Sequence, residues 1–188
     1  MGGVEGTGYN REHSWPQAWF GGGIPPMESD LFQLYPTDNF VNNQRGSFPY
    51  GEVDSPTWTS LNGSKLGPCS YPGYSGTAFE PIDGYKGDFA RSYFYMTTRY
   101  YLEDGAWPGS DMTDGADLLP WAVDMLLEWH VEDPVSGAAQ EVRPHWAVTA
   151  EGLGADARGS EDEILGAGGR HLYARRNGCG WKYSKHQL

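Results

Sequence analysis

The 188-residue chain lacks any run of apolar residues near the roughly 20 that a membrane-spanning helix needs, so no membrane role is expected. Its opening, MGGVEGTGYN, has neither a basic stretch nor an apolar core. No signal peptide is visible there, and the early glycines read like a start inside a longer gene. Cysteine is scarce: Cys69 and Cys179 permit one disulfide, show no metal-type spacing, and leave the compartment open. Positive charge is scarce too, with 13 Lys and Arg against 25 Asp and Glu and a net charge of −12. That balance excludes a protein that holds nucleic acid by bulk electrostatics. It does not exclude an enzyme that needs positive charge only locally, at a metal and a few arginines.

What the chain has instead is 27 Gly, 13 Pro, 8 Trp and 12 Tyr. Turns and large amphipathic rings dominate, and the length suffices to bury one core without disulfides. The charge is uneven. Residues 1–136 hold 6 basic and 19 acidic residues, net −13, and residues 137–188 hold 7 and 6, net +1. Texture changes at the same place, which sets a domain over 1–136 apart from a divergent, weakly structured tail over 137–188 with one short helix around 160–166. An irregular C-terminal subdomain is the alternative for the tail.

Within the first part, residues 9–15 read as a short strand stopped by Pro16, and GGGIPP at 21–26 as a loop. Residues 28–36 fit neither period cleanly. TDNFVNNQRG at 37–46 reads as a short helix, capped by Thr37 or Asp38 and ended by Gly46. Residues 47–85 are turns with short strands at best. Two helices follow. Asp88 is expected to cap FARSYFYMTTRYYLED, with Ala90, Tyr93, Phe94, Thr97 and Tyr101 on one face. LLPWAVDMLLEWHVED carries Pro120 in its first turn, an apolar stripe at Leu119, Ala122, Val123, Leu126 and Leu127, and a stop at Pro134. The aromatics of these helices read as core.

The chemistry-bearing stretch is YNREHSWPQAWF at 9–20, which sets Glu12 beside His13 among aromatics and a proline. Cutting a phosphodiester requires a base to deprotonate water, neutralisation of the charge gained at phosphorus, and stabilisation of the leaving oxygen. A neutral imidazole suits the first task. A hard divalent cation suits the other two and needs only one or two protein oxygens, here Glu12 and the amide of Asn42. Neighbours on a strand point to opposite faces, so Glu12 and His13 share a site only where the strand bulges or ends.

Four stretches together resemble the bacterial endonuclease I family: YNREHSWPQAWF, SDLFQLYPTDNFVNNQRGSFPYGEV, YSGTAFEPIDGYKGDFARSYFYMTTRYY and WAVDMLLEWHVEDPVS. The resemblance covers about residues 8–136, in order and with similar spacing. It implies an α+β fold with a ββα-metal (His-Me finger) core, extra helices and long Gly/Pro-rich loops. It implies a secreted or periplasmic, non-specific endonuclease that cuts DNA, in some members RNA, through backbone contacts as a monomer. His13 is then the general base, and Glu12 and Asn42 hold Mg²⁺ or another divalent cation such as Ca²⁺ or Mn²⁺. Arg45 and Arg11 are candidate phosphate contacts, against the alternative of surface ion pairs.

Two departures bear on this reading. Where the family usually has DLHHLYP, this chain has DLFQLYP, so Phe32 and Gln33 stand in place of imidazoles. Gln33 retains the capacity to bond a phosphate or a metal-bound water, and Phe32 does not. The family's later segment with its arginine is also missing after Ser136; a changed reading frame and divergence both account for that. These departures motivate a rival class, a degenerate homologue without activity that serves as a binding module. An aromatic-rich carbohydrate-binding domain is a third idea and leaves the four ordered blocks unexplained. Arg91 and Arg99 read as partners of nearby carboxylates, and His130 as a helix-end residue. His145, His171 and His186 receive no role.

Overall fold

The structure is a computed structural model that describes residues 3–135, 161–166, 170–177 and 180–186. It is a mixed α+β fold. Strand β1 (Tyr9–His13) pairs antiparallel with β2 (Leu34–Asp38), Glu12 opposite Tyr35 and His13 opposite Leu34. Pro36 is tolerated in β2 because the sheet has only these two strands. The chain passes directly from β2 into helix α1 (Asn39–Arg45). Asp38 caps it, its side chain accepting from the amides of Phe40 and Val41, and Gly46 ends it at φ 54°.

Strands β3 (Trp58–Thr59), β4 (Lys65–Pro68) and β5 (Thr77–Glu80) make a second antiparallel sheet, in the stretch read as turns with short strands at best. The segment after α1 docks on it through a parallel bridge between Tyr50 and Phe79.

Helix α2 (Asp83–Tyr100) begins six residues before the Phe89 start expected from an Asp88 cap. Gly84 and Gly87 lie in that added stretch. Gly87 is a packing residue: a Cβ there would lie 1.9 Å from the carbonyl oxygen of Asp133. After a small hairpin of β6 (Thr113–Asp114) and β7 (Asp117–Leu118), helix α3 (Pro120–Glu132) packs along α2, with proline at its first position as expected.

The core lies under both helices and is unusually aromatic. Trp15 is fully buried, with its ring 5.1 Å from Tyr93 and 5.6 Å from Trp107. Trp129, Tyr50, Tyr100, Met96 and Met125 complete its centre. Trp15 follows the end of β1 by two residues, so this core anchors the strand that carries Glu12 and His13. Each such side chain contributes about 1.5–3 kcal/mol of burial.

The short helix expected around 160–166 is not found. Glu161–Gly166 is a strand, β8, in an antiparallel sheet with β9 (Arg170–Asn177) and β10 (Gly180–His186). Alternating backbone pairing, unlike helix, does not need the apolar periodicity that this stretch lacks. Cys179 and His145 lie outside the described residues. Cys69 is a free, half-buried thiol.

Candidate active site

Strand β1 and helix α1 are joined by their side chains rather than by sequence proximity. Arg45, on the last turn of α1, is buried and reaches the end of β1. Its Nη1 donates to the His13 carbonyl at 3.2 Å and lies 3.2 Å from Glu12 Oε1. Its Nη2 donates to the Ser14 carbonyl at 2.8 Å. The guanidinium also lies 4.6 Å from the Tyr50 ring centroid. One side chain therefore fixes the two backbone carbonyls that end β1, those of His13 and Ser14, together with the Glu12 carboxylate. Arg45 was expected at a phosphate. The structure places it inside as a brace, because the carbonyls and the carboxylate at the end of β1 use both of its terminal nitrogens.

Glu12 is buried. Its Oε1 accepts from Arg45 and from the Tyr50 hydroxyl at 3.2 Å, while Oε2 has no hydrogen-bond partner among the described residues. Burial pushes its carboxyl above the usual range, and Arg45, Tyr50 and His13 offset that only in part. Burial also opposes charge on Arg45, but Glu12 and the two tyrosines more than compensate, so the guanidinium stays ionised.

Asn42 sits one helical turn before Arg45. Its Nδ2 donates to the Arg11 carbonyl at 3.1 Å, which leaves Oδ1 without a partner among the described residues. Glu12 and Asn42 line the same cavity of about 150 Å³. Two oxygens whose sister atoms are tied down, one anionic and one amide, fit a hard divalent cation that keeps most of its waters. Among the described residues there is no group of three or more His, Cys, Asp or Glu able to hold a metal. A site that needs more protein charge than this pair finds no alternative there.

His13 does not line that cavity, as strand alternation dictates. Its Nε2 lies 2.9 Å from the Glu28 carbonyl oxygen and 3.1 Å from the Gln17 amide. The Glu28 carbonyl only accepts and the Gln17 nitrogen only donates, so the two ask opposite roles of Nε2; with the shorter carbonyl contact taken as the bond, the neutral ring carries its proton on Nε2 and leaves Nδ1 bare.

Gln33, the other expected phosphate contact, is fully buried. Its Oε1 accepts from the Trp15 amide at 3.3 Å and its Nε2 donates to the Met27 carbonyl at 2.6 Å. It thereby secures the turn whose next residue, Glu28, holds His13. The amide supplies an orienting role that needs no titration. Phe32 packs its ring 4.9 Å from Tyr95.

Arg11 is exposed. Of the six cations in residues 3–135, the other five are in ion pairs, and Arg11 is in none of the described ones. Sequence reasoning missed Tyr50 and Gln17. No local signal marks Tyr50, which meets Glu12 across 38 positions.

Comparison with known proteins matches the sequence profile of the Endonuclease I family to residues 2–150, which runs beyond Ser136, where the four blocks end. An extracellular ribonuclease of Bacillus subtilis (strain 168) is 34% identical over 133 residues, 68% of this chain and 42% of the relative. An extracellular ribonuclease of Bacillus amyloliquefaciens is 36% identical over 135 residues, again 68% of this chain and 42% of the relative. Endonuclease-1 of Buchnera aphidicola subsp. Baizongia pistaciae (strain Bp) is 35% identical over 78 residues, 41% of this chain and 30% of the relative. The chain thus spans less than half the length of these relatives.

Proposed function

The chain belongs to the endonuclease I family, and from that premise we propose that it is a divalent-metal-dependent, non-specific endonuclease that hydrolyses phosphodiester bonds of nucleic acid. The β1–β2–α1 unit then corresponds to the ββα-metal, or His-Me finger, core. One observation carries the reading: among the described residues, Glu12 Oε2 and Asn42 Oδ1 stand without partners while the atoms beside them are fixed, and both residues line one cavity.

Glu12 and Asn42 would hold Mg²⁺, or another divalent cation such as Ca²⁺ or Mn²⁺. Bound there, the cation supplies charge neutralisation at phosphorus and at the leaving oxygen. His13 takes the proton of the attacking water at Nδ1, its ring fixed by the Glu28 carbonyl. In an in-line displacement the attacking and leaving oxygens lie on opposite sides of phosphorus. A base and a metal pair on opposite faces of one strand end suit that demand. Arg45 and Gln33 are positioning residues, one for Glu12 and the other for the turn that holds His13. Arg11, beside Asn42, contacts a backbone phosphate. The named activity of the Bacillus relatives favours RNA as a substrate beside DNA, and their extracellular location favours secretion of this protein. No helix among the described residues is long and apolar enough to cross a membrane.

The rival reading of a decayed homologue rests on Phe32, Gln33, the missing later segment and the −13 charge of residues 1–136. Gln33 weighs against it, because its buried amide bonds the Trp15 amide and the Met27 carbonyl beside the site. A plasmid-nicking assay tests the proposal. The parent should cut with Mg²⁺ and not with EDTA, and His13→Ala should lose cutting by about 10²–10⁴-fold while melting like the parent. Equal cutting by His13→Ala refutes the assignment of the base.

A further inference from the structure

The cavity that Glu12 and Asn42 line also has an apolar half, built for something other than a cation. Tyr35, Ile82, Tyr85 and Phe89 form it. Tyr85, in the first turn of α2, is 48% exposed. Its ring lies 6.1 Å from Phe89, which stacks on Tyr50 at 4.7 Å and 25°. Asn62 lines the same cavity. Its Oδ1 accepts from the hydroxyls of Ser60 and Ser64 and from the Ser64 backbone amide at 3.4 Å. An N–H contact identifies that atom as the oxygen, so Nδ2 carries two hydrogens, and it has no partner among the described residues.

An aromatic face with a pair of N–H donors is recognition chemistry for a flat ring that bears a carbonyl oxygen. A phosphate is a poor occupant: the one cation in the lining, Arg45, has its terminal nitrogens committed, and Glu12 adds a negative charge. Resting on the nuclease reading, we propose that this half is a subsite for one unpaired nucleobase with a carbonyl group, adjacent to the scissile phosphate. Tyr85 stacks on the base and Asn62 Nδ2 donates to its carbonyl oxygen. A base inside a duplex has its faces stacked and its edge paired, so entry requires an unpaired strand. The preferred substrate class is therefore single-stranded nucleic acid.

Binding in EDTA separates this subsite from catalysis. Short fluorescent single strands carry either one uracil among abasic positions or abasic positions throughout, and anisotropy reads their affinity. The uracil strand should bind the parent about tenfold tighter than the abasic strand. Tyr85→Ala should erase that difference, Tyr85→Phe should keep it, and Asn62→Asp, which retains the oxygen accepting from Ser60 and Ser64, should reduce it. Equal affinity of the two strands for the parent, or an undiminished preference in Tyr85→Ala, overturns the subsite. Cleavage with Mg²⁺ is the second arm. Base-dependent binding without cleavage upholds the subsite and rejects the nuclease reading, and cleavage without base dependence does the reverse.

Discussion

Two buried carboxylate–cation clusters lie in this molecule, and they differ in what they leave open. Around Lys86, both oxygens of Glu80 and both of Glu52 are used, and the exposed Asp83 adds a third carboxylate at 3.1 Å. Glu80 Oε1 meets Lys86, and its Oε2 meets Lys65 and the Val53 amide. Glu52 shares both oxygens with Lys86 and takes the Trp129 indole N–H on Oε1. Around Arg45, Glu12 uses one oxygen only, and Arg45 Nε is itself buried without a partner. The saturated cluster ties β5 and the Glu52 segment to α2 and α3, so it serves the scaffold. The unsaturated cluster faces a cavity. Glu12 Oε2 is not among the sealed, unpartnered atoms, so a ligand that enters the cavity Glu12 lines can reach it.

The largest expected effect comes from breaking the saturated cluster. Lys86→Met leaves Glu80 and Glu52 short of their cation and should cost about 3–5 kcal/mol of stability, read by urea unfolding. Burial alone would raise the Glu80 carboxyl, but hydrogen bonds from Lys86, Lys65 and Val53 hold it below the usual range. A lowered folded pKa contributes stability that is present above the unfolded value and lost as pH falls through the folded one. The parent should therefore lose this contribution below about pH 4. In Lys86→Met the sign reverses: burial then dominates, and mild acidification should stabilise. Identical acid limbs in the two proteins would remove the cluster from the account.

A smaller effect comes from loosening the open cluster while keeping its charge. Arg45→Lys loses the planar fork that spans His13, Ser14 and Glu12. Mg²⁺ affinity should fall about 10–100-fold, as for other groups that orient a ligand, with a modest change in melting. Unchanged affinity would make Arg45 merely structural. The smallest effect belongs to Arg11→Ala. Five of the six cations in residues 3–135 are in ion pairs, so Arg11→Ala should lower the log–log salt slope of nucleic-acid binding by about one. A slope that does not move would place the phosphate contact elsewhere.

The same contrast explains which parts were legible in the sequence. Local rules were sufficient for α1, where Asp38 and Gly46 punctuate seven residues, and for α3 between Pro120 and Pro134. They failed at the start of α2, because Gly87 answers to the distant Asp133 carbonyl rather than to a turn. β2 was obscured by Pro36, and β3–β5 by their short lengths among turns. At the site, Glu12 and Asn42 could be named as oxygen donors from chemistry and spacing. Arg45 and Gln33 could not be placed, since a charged or amide side chain reads as surface until its partners are known. Those partners are carbonyls and a carboxylate about 30 residues away for Arg45, and the Trp15 and Met27 backbone for Gln33.

Thermal melting with and without Mg²⁺, on the parent and on Glu12→Gln, tests the claim that the open cluster is a cation site. Saturating metal should stabilise the parent, by about 2.7 kcal/mol at a hundred times Kd, and leave Glu12→Gln unmoved. A parent that melts cooperatively at the same temperature with and without the metal would contradict it.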